Sequence, residues 1–206
     1  GRSAAAIGVI TVDGDARLAQ PTASSEAFLG YDGGRAEVNL CGGTFNKYSS
    51  PVTLGNGTVN ATGIVNLCSG TLVTRYFAKS TPNGGFWLNF CGGTLCAGDT
   101  DQSAFIPSAM SGVYSYGAVG TFSGGAFIDT TGRTVVVAAP IRAPTGMGVY
   151  AVEVTNPGSG YIGEPYVSIR GADGLGATAV ANMVDDGTGC GTFKVGSVTV
   201  TCPGTG

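Results

Sequence analysis

The sequence contains no histidine. That absence removes the commonest general base and the commonest metal ligand, and with them any Ser-His-Asp triad. Charge is also scarce: charged residues make up 11% of the chain, against about 25% in ordinary globular domains. Ten Lys and Arg, thinly spread under a net charge of −3, form no stripe able to neutralise a run of phosphates, which argues against a nucleic-acid partner. Nor is there a cationic amphipathic helix to lie on a membrane. The longest apolar stretch, residues 134–141, is far shorter than the ~20 residues a membrane-spanning helix needs. Helical periodicity is missing too, because Gly, Pro or β-branched runs interrupt every window of a dozen residues.

Glycine, by contrast, is abundant, at 37 of 206 residues. It follows no three-residue period, which excludes a collagen-like helix. Hydrophobic residues reach 43%, so the chain lacks the polar, highly charged composition of disorder. Short alternating runs recur at 7–12, 36–40, 134–137 and 152–154, each bounded by Gly, Asn, Asp or Pro. This is the pattern of many short strands joined by tight turns, and it predicts an all-β fold.

The strands repeat. VNLCGGTF at 38–45 recurs as VNLCSGTL at 65–72 and as LNFCGGTL at 88–95, at spacings of 27 and 23 residues. A companion motif, LGY at 29–31 and LGN at 54–56, precedes the first two copies. A period near 25 with several strands per repeat suits one coil of a β-helix, whose coils bury their apolar faces only by stacking ~4.8 Å apart. Alternation predicts inward ladders of Val38, Val65 and Leu88 and of Leu40, Leu67 and Phe90, with Asn39 and Cys41 on the opposite face. Gly42 and Gly43 then form a corner, after which Phe45, Leu72 and Leu95 return to the core.

A second module follows. VEVTNPGSG at 152–160 reappears as VTVTCPGTG at 198–206, a period of 46. The expected division is a β-helix over 1–141, including an amino-terminal strand segment, and a small β-rich module over 142–206 that is truncated within its own repeat. Pro, Ala and Gly cluster around the boundary at 140–147.

These motifs point to families. VNLCGGTFN, VNLCSGTL and LNFCGGTLCAG resemble the strand repeats of bacterial autotransporter-type passengers and related surface proteins, stacked into a right-handed β-helix. GGAFIDTTGRTVVVAAPI at 124–141 resembles the unit that ends many such arrays. VTNPGSGYIGEPYVSIRGADGLGATAVANM at 154–183 is similar to GSGY-type repeats of surface proteins and phage fibres. The resemblance implies an architecture shared by adhesins, filaments and cell-wall proteins, and implies no activity. The chain departs from that pattern at Cys41, Cys68 and Cys91, where the surface repeats carry Ser or Thr.

Six cysteines without a CxxC motif suit disulfides in an oxidising compartment, and the chain is read as secreted, at the cell surface. Stacking would bring Cys41, Cys68 and Cys91 one above another within disulfide reach. The expected bonds are Cys41–Cys68 and Cys91–Cys96, with Cys68–Cys91 as rival, and Cys190–Cys202 closing a hairpin. Free thiols and bonds to a neighbouring chain are the alternatives.

Asp13 with Asp15, Asp99 with Asp101, and Asp185 with Asp186 read as turn-capping carboxylates, and a calcium site is the alternative. No metal, cofactor or catalytic residue is assigned, since no carboxylate pair marks a glycosidase and the serine in Gly158-Ser-Gly160 lacks the strand–turn–helix context of a nucleophile elbow. Trp87, Phe86, Phe90, Tyr48, Tyr76 and Phe77 read as core or edge shields, with carbohydrate contact as the alternative. Two sequons, at Asn56 and Asn60, and many Ser and Thr leave glycan modification open.

The expected role is a non-catalytic structural subunit of an extracellular filament, sheath or surface layer, its partners being other copies of itself. An adhesin or receptor-binding stalk and a β-helix carbohydrate-active protein are the alternatives. The expected assembly segment is the uncharged run Ala4, Ala5, Ala6, Ile7, Val9, Ile10 and Val12, which lacks the Lys and Pro that blunt a free edge.

Overall fold

A computed structural model describes residues 6–19, 26–56, 60–79, 85–117, 123–171 and 174–206. Among them no helix forms, and the chain divides into a unit running to Ala143 and another from Pro144 onward.

The first unit contains five triplets of short strands. They are β1 (Ile7–Val12), β2 (Arg17–Ala19) and β3 (Ala27–Tyr31); β4 (Arg35–Leu40), β5 (Thr44–Lys47) and β6 (Val52–Asn56); β7 (Thr62–Leu67), β8 (Thr71–Thr74) and β9 (Phe77–Lys79). Then come β10 (Gly85–Phe90), β11 (Thr94–Ala97) and β12 (Gln102–Ile106); and β13 (Val113–Ser115), β14 (Phe127–Asp129) and β15 (Val135–Val137). The first members stack in the order β1-β4-β7-β10-β13 and the second members as β2-β5-β8-β11-β14. The third members form two sheets, β3-β6-β9 and β12-β15. Every pairing is parallel. The unit is therefore a three-faced parallel β-solenoid, as the repeat period predicts.

Its register is the motif register. Val38 pairs with Val65 and Val65 with Leu88, while Leu40 pairs with Leu67 and Leu67 with Phe90. All six side chains are buried. On the second face Phe45, Leu72 and Leu95 stack in the same way, and on the third Leu29 stacks on Leu54. One contiguous core joins the three faces. Burying a single Leu or Val side chain of this kind contributes about 1.5–3 kcal/mol, a gain that depends on the rung above and the rung below.

The corner after the first face shows why glycine recurs there. A Cβ at Gly70 would collide with the carbonyl oxygen of Gly42 one rung earlier, and one at Gly93 would stand 2.8 Å from the carbonyl oxygen of Gly70. The corners thus nest backbone on backbone, which the second glycine of each motif permits.

The second unit is built on β16 (Thr178–Asp185) and β17 (Phe193–Cys202), an antiparallel pair whose register shifts twice. Ala179, Ala181, Val200 and Cys202 supply its small buried core, and the Thr178 and Thr201 hydroxyls meet at 2.8 Å. The strand expected at 152–154 is reduced to one bridge, Val152 to Val198. That bridge joins the first residues of the two copies of the sequence repeat. The copies differ in structure because only the later one has β16 to pair along its length.

Candidate functional site

The expected assembly segment lies on the first rung. Ala4 and Ala5 fall outside the described residues, Ala6 is half-buried, and Ile7, Val9, Ile10 and Val12 belong to β1. Among the described residues β1 is the outermost strand of its sheet and pairs with β4 alone. Ile7 is 52% exposed, Val9 38% and Ile10 46%, whereas Val12 is buried. The rim continues apolar on the other two faces, with Leu18 38% and Phe28 46% exposed. Ile10 and Leu18 stand in the ladders of Val38 and Phe45, so the inner side of the solenoid is open here.

The hydrogen-bond pattern identifies the free groups. Arg35 donates its amide to the Ala6 carbonyl and Cys41 donates to the Val12 carbonyl. In a parallel ladder alternate residues face the partner, so residues 6, 8, 10 and 12 are turned to β4. The amides and carbonyls of Ile7, Val9 and Thr11 point outward. The last rung differs: Arg142 donates its amide to Val113 and accepts from the Ser115 amide, taking groups that β13 would otherwise present.

The outer side of the first face holds a polar column. Asn89 Nδ2 donates to Asn66 Oδ1 at 2.8 Å, Asn66 Nδ2 donates to Asn39 Oδ1 at 2.7 Å, and Asn39 Nδ2 donates to Glu37 Oε1 at 3.0 Å. Arg35 closes the column on Glu37 Oε2 at 3.2 Å. The three asparagines and Glu37 are buried. One donor per rung feeds one acceptor in the next, so the column has a direction and ends on a carboxylate. Asn89 Oδ1, at the far end, has no partner among the described residues.

Beside it runs a column of thiols. Cys41, Cys68 and Cys91 follow Leu40, Leu67 and Phe90, which pair in register. Cys68 and Cys91 are buried and Cys41 is half-buried. A hydrogen bond from the Cys68 thiol lowers the Cys41 pKa below the usual thiol value, against burial and the carboxylates of Asp13 and Glu37, which raise it. Burial, aided by Asp129, pushes the Cys96 thiol up.

No disulfide joins any of the six cysteines, which corrects the expected bonds. Side chains that project in parallel from stacked strands keep the ~4.8 Å strand spacing, whereas a disulfide needs Cβ atoms that converge to about 3.8 Å. This accounts for Cys41–Cys68 and for the rival Cys68–Cys91. Cys91 and Cys96 lie on either side of the Gly92–Gly93 corner, and Cys96 donates toward Asp129 Oδ2 at 4.0 Å. Cys202 ends β17, opposite Thr178, while Cys190 lies in the turn before that strand begins. The length of β17 separates them, and they close no hairpin.

Two of the three acidic pairs have side-chain partners. Asp101 accepts the Thr134 amide, Asp99 lies 3.7 Å from Arg75, and Asp185 accepts the Gly187 amide. Asp186 accepts the Thr188 amide and hydroxyl, the Thr192 hydroxyl and the Gly160 amide. These bonds, those from Thr188 foremost, hold its carboxyl well below the usual carboxylate range. Phe77, Phe86 and Phe90 are core residues and Tyr76 packs against the core. Tyr48 is exposed and accepts from Arg133 at 3.2 Å. The sequon at Asn56 runs beyond the described residues, and Asn60 is exposed.

Two features escaped the sequence reading. The asparagine column was visible as an asparagine at one motif position in three copies, but alternation places it only on the face opposite Val38 and Leu40 and does not say that this face is buried. Lys47 is fully buried, at the position that Thr74 and Ala97 occupy in later rungs, and burial lowers its ammonium pKa. Its core-facing phase was readable, two residues after Phe45. Comparison with protein-family models, curated proteins and solved structures gives no match, so the solenoid and its columns alone bear on function.

Proposed function

We propose that the chain is a non-catalytic structural segment of an extracellular filament, sheath or surface layer, joined to other copies of itself by strand pairing. The observation that carries this reading is the first rung, an uncharged edge strand whose outward amides and carbonyls have no partner among the described residues and whose apolar side chains Ile7, Val9 and Ile10 are exposed. Such an edge is a template for added strands, the mode used in β-augmentation. The rest of the unit suits a scaffold: its faces are short and repetitive, and Asp101 and Asp99 serve a turn and an ion pair.

A second reading, an adhesin or receptor-binding stalk, is favoured by the second unit. Met147, Tyr150, Ile162, Tyr166, Leu175 and Phe193 are exposed there, more large apolar side chains than so small a module needs on its surface.

The test is the mass of the 206-residue chain across a concentration series, by sedimentation velocity and negative-stain microscopy. Assembly that grows with concentration, and is lost when Val9 is changed to Lys, supports the structural reading. A chain that remains monomeric at high concentration sinks it.

A further inference from the structure

The thiols stacked at the first corner form a two-coordinate metal site: we infer that Cys41 and Cys68 together bind one soft monovalent cation, Cu(I) foremost, in line between their sulfurs. The site goes beyond the structural reading of the chain and does not depend on how copies assemble.

Register places the thiols. Leu40 pairs with Leu67 and Leu67 with Phe90. The next residue of each rung continues the ladder, the Cys41, Cys68 and Cys91 amides donating to the Val12, Leu40 and Leu67 carbonyls at 2.9, 2.9 and 2.8 Å. The same ladder puts Asp13 on the rung before Cys41. It puts Tyr116, whose amide donates to the Phe90 carbonyl at 2.8 Å, on the rung after Cys91. The column therefore reads Asp13, Cys41, Cys68, Cys91, Tyr116. Asp13 is exposed and Cys41 half-buried, whereas Cys68, Cys91 and Tyr116 are buried. An ion reaches this column at Cys41, and the pair nearest the opening is Cys41 with Cys68.

The geometry of that pair suits a linear ion. The Cys68 thiol already donates its proton to the Cys41 sulfur, so the two sulfurs face each other. Two metal–thiolate bonds of about 2.3 Å, the length for zinc, laid end to end span about 4.6 Å, against the ~4.8 Å between stacked strands. A disulfide instead needs sulfurs about 2.05 Å apart. The parallel projection that keeps the pair from bonding to each other thus leaves room for an ion between them. Ligand number and softness decide which ion. Among the described residues no group of three or more Cys, Asp or Glu side chains is arranged to hold a metal. That excludes the four-ligand cage of structural zinc and the six to eight oxygens of calcium. Two thiolates alone suit a soft ion that is stable with two ligands, and thiolate ligands select Cu(I).

Charge assists the ion's arrival. The carboxylates of Asp13 and Glu37 both act on Cys41, and a field that disfavours a thiolate favours a cation. Arg35 offsets Glu37, at 3.2 Å from its Oε2, which leaves Asp13, exposed at the mouth of the column, as the attracting group. Binding exchanges protons for metal. Each thiol releases its proton to the buffer, two metal–sulfur bonds form, no electron is transferred, and the bound unit carries one negative charge. Loss of the Cys68 proton removes the donor to Cys41, and the ion takes its place between the sulfurs.

The experiment is an anaerobic titration of the full, reduced chain with Cu(I) held by bicinchoninate, a coloured chelator that reports the ion it loses. The expected result is one ion taken per chain with release of protons. The thermal midpoint of the first unit should rise with that first equivalent, and Zn(II) should not raise it. Cys41→Ser, at a half-buried position, should weaken binding at least tenfold. Cys68→Ala, which keeps its buried position apolar, should do the same, and the melting curve of each metal-free variant shows that it folds. Cys96→Ser and Cys190→Ser should leave binding unchanged. A chain that takes no ion from the chelator overturns the site, and so does binding that survives both Cys41→Ser and Cys68→Ala. Binding lost with Cys190→Ser overturns the assignment to the column, and an equal rise of the midpoint with Zn(II) overturns the two-coordinate geometry.

Discussion

Asn66 is the middle rung of the asparagine column, and replacing it with alanine probes what the column contributes. Its Nδ2 serves Asn39 and its Oδ1 accepts from Asn89, both in buried surroundings. Asn66→Ala therefore orphans two groups at once, the Asn39 carbonyl oxygen and the Asn89 amide. Each buried polar group left without a partner costs about 1–3 kcal/mol, so the expected loss is roughly 2–6 kcal/mol. Asn89→Ala, at the end of the column, removes only one of the column's bonds, that to Asn66 Oδ1, and its expected loss is smaller. Both substitutions leave the same small cavity, so their difference isolates the hydrogen bonds. Urea unfolding of the two variants, at an unchanged denaturant slope, measures it. Equal losses, or losses below about 1 kcal/mol in both, would refute the idea that the column is a stabilising unit. Replacing Asn39, Asn66 and Asn89 together with leucine should cost less than the sum of the single changes, because coupled sites do not add and the middle rung then leaves no orphan.

The remaining predictions concern other levels of the structure. Thiol titration of denatured, unreduced protein should count six thiols, with Cys41 and Cys190 labelled first in the folded state and Cys68, Cys91 and Cys202 only on unfolding; a count of two or fewer contradicts the free-thiol arrangement. Gly70→Ala should destabilise the first unit by about 1–3 kcal/mol through overpacking at the corner, while Gly117→Ala, where a Cβ meets nothing within 4 Å, should leave the melting temperature unchanged. Asp186 has a folded pKa depressed below its unfolded value, so its contribution to stability is complete above the ordinary carboxylate range and fades as pH falls below about 4. The second unit should lose stability through that acid window, and Asp186→Asn should flatten the slope.

The parts of the fold that were legible in sequence depend on a period. Three copies of one motif, with apolar residues in a common phase, required Val38, Val65 and Leu88 to stack, and nothing in the tertiary structure competes with that arrangement. The thiols show where such reasoning fails. Equivalent motif positions do place Cys41, Cys68 and Cys91 one above another, but in-register stacking also makes their side chains parallel, and spacing along a sequence carries no information about convergence. The asparagines failed for another reason. Strand alternation separates two faces without saying which one meets water, and the outer side of the first face is buried. In the second unit, similar motifs at 152 and 198 became one bridge and one long strand, since the pairing partner decides the element and the repeat does not contain it. The backbone bonds of Arg142 to Val113 and Ser115 had no sequence signal, because one residue bridging two backbone groups leaves no pattern.

Every rung of the first unit lies across the solenoid, while the bonds that hold the rungs together run along it. Tension applied along the axis would therefore open these bonds in succession, one strand peeling from the next, where a sheet loaded along its strands would have to shear all its bonds at once. Each coil released contains 23 to 28 residues, and at ~3.3–3.6 Å per residue its chain would extend to roughly 75–100 Å. A stack built this way is stiff while its rungs stay paired and becomes a long, compliant tether when they yield, each coil acting as a separate length of slack.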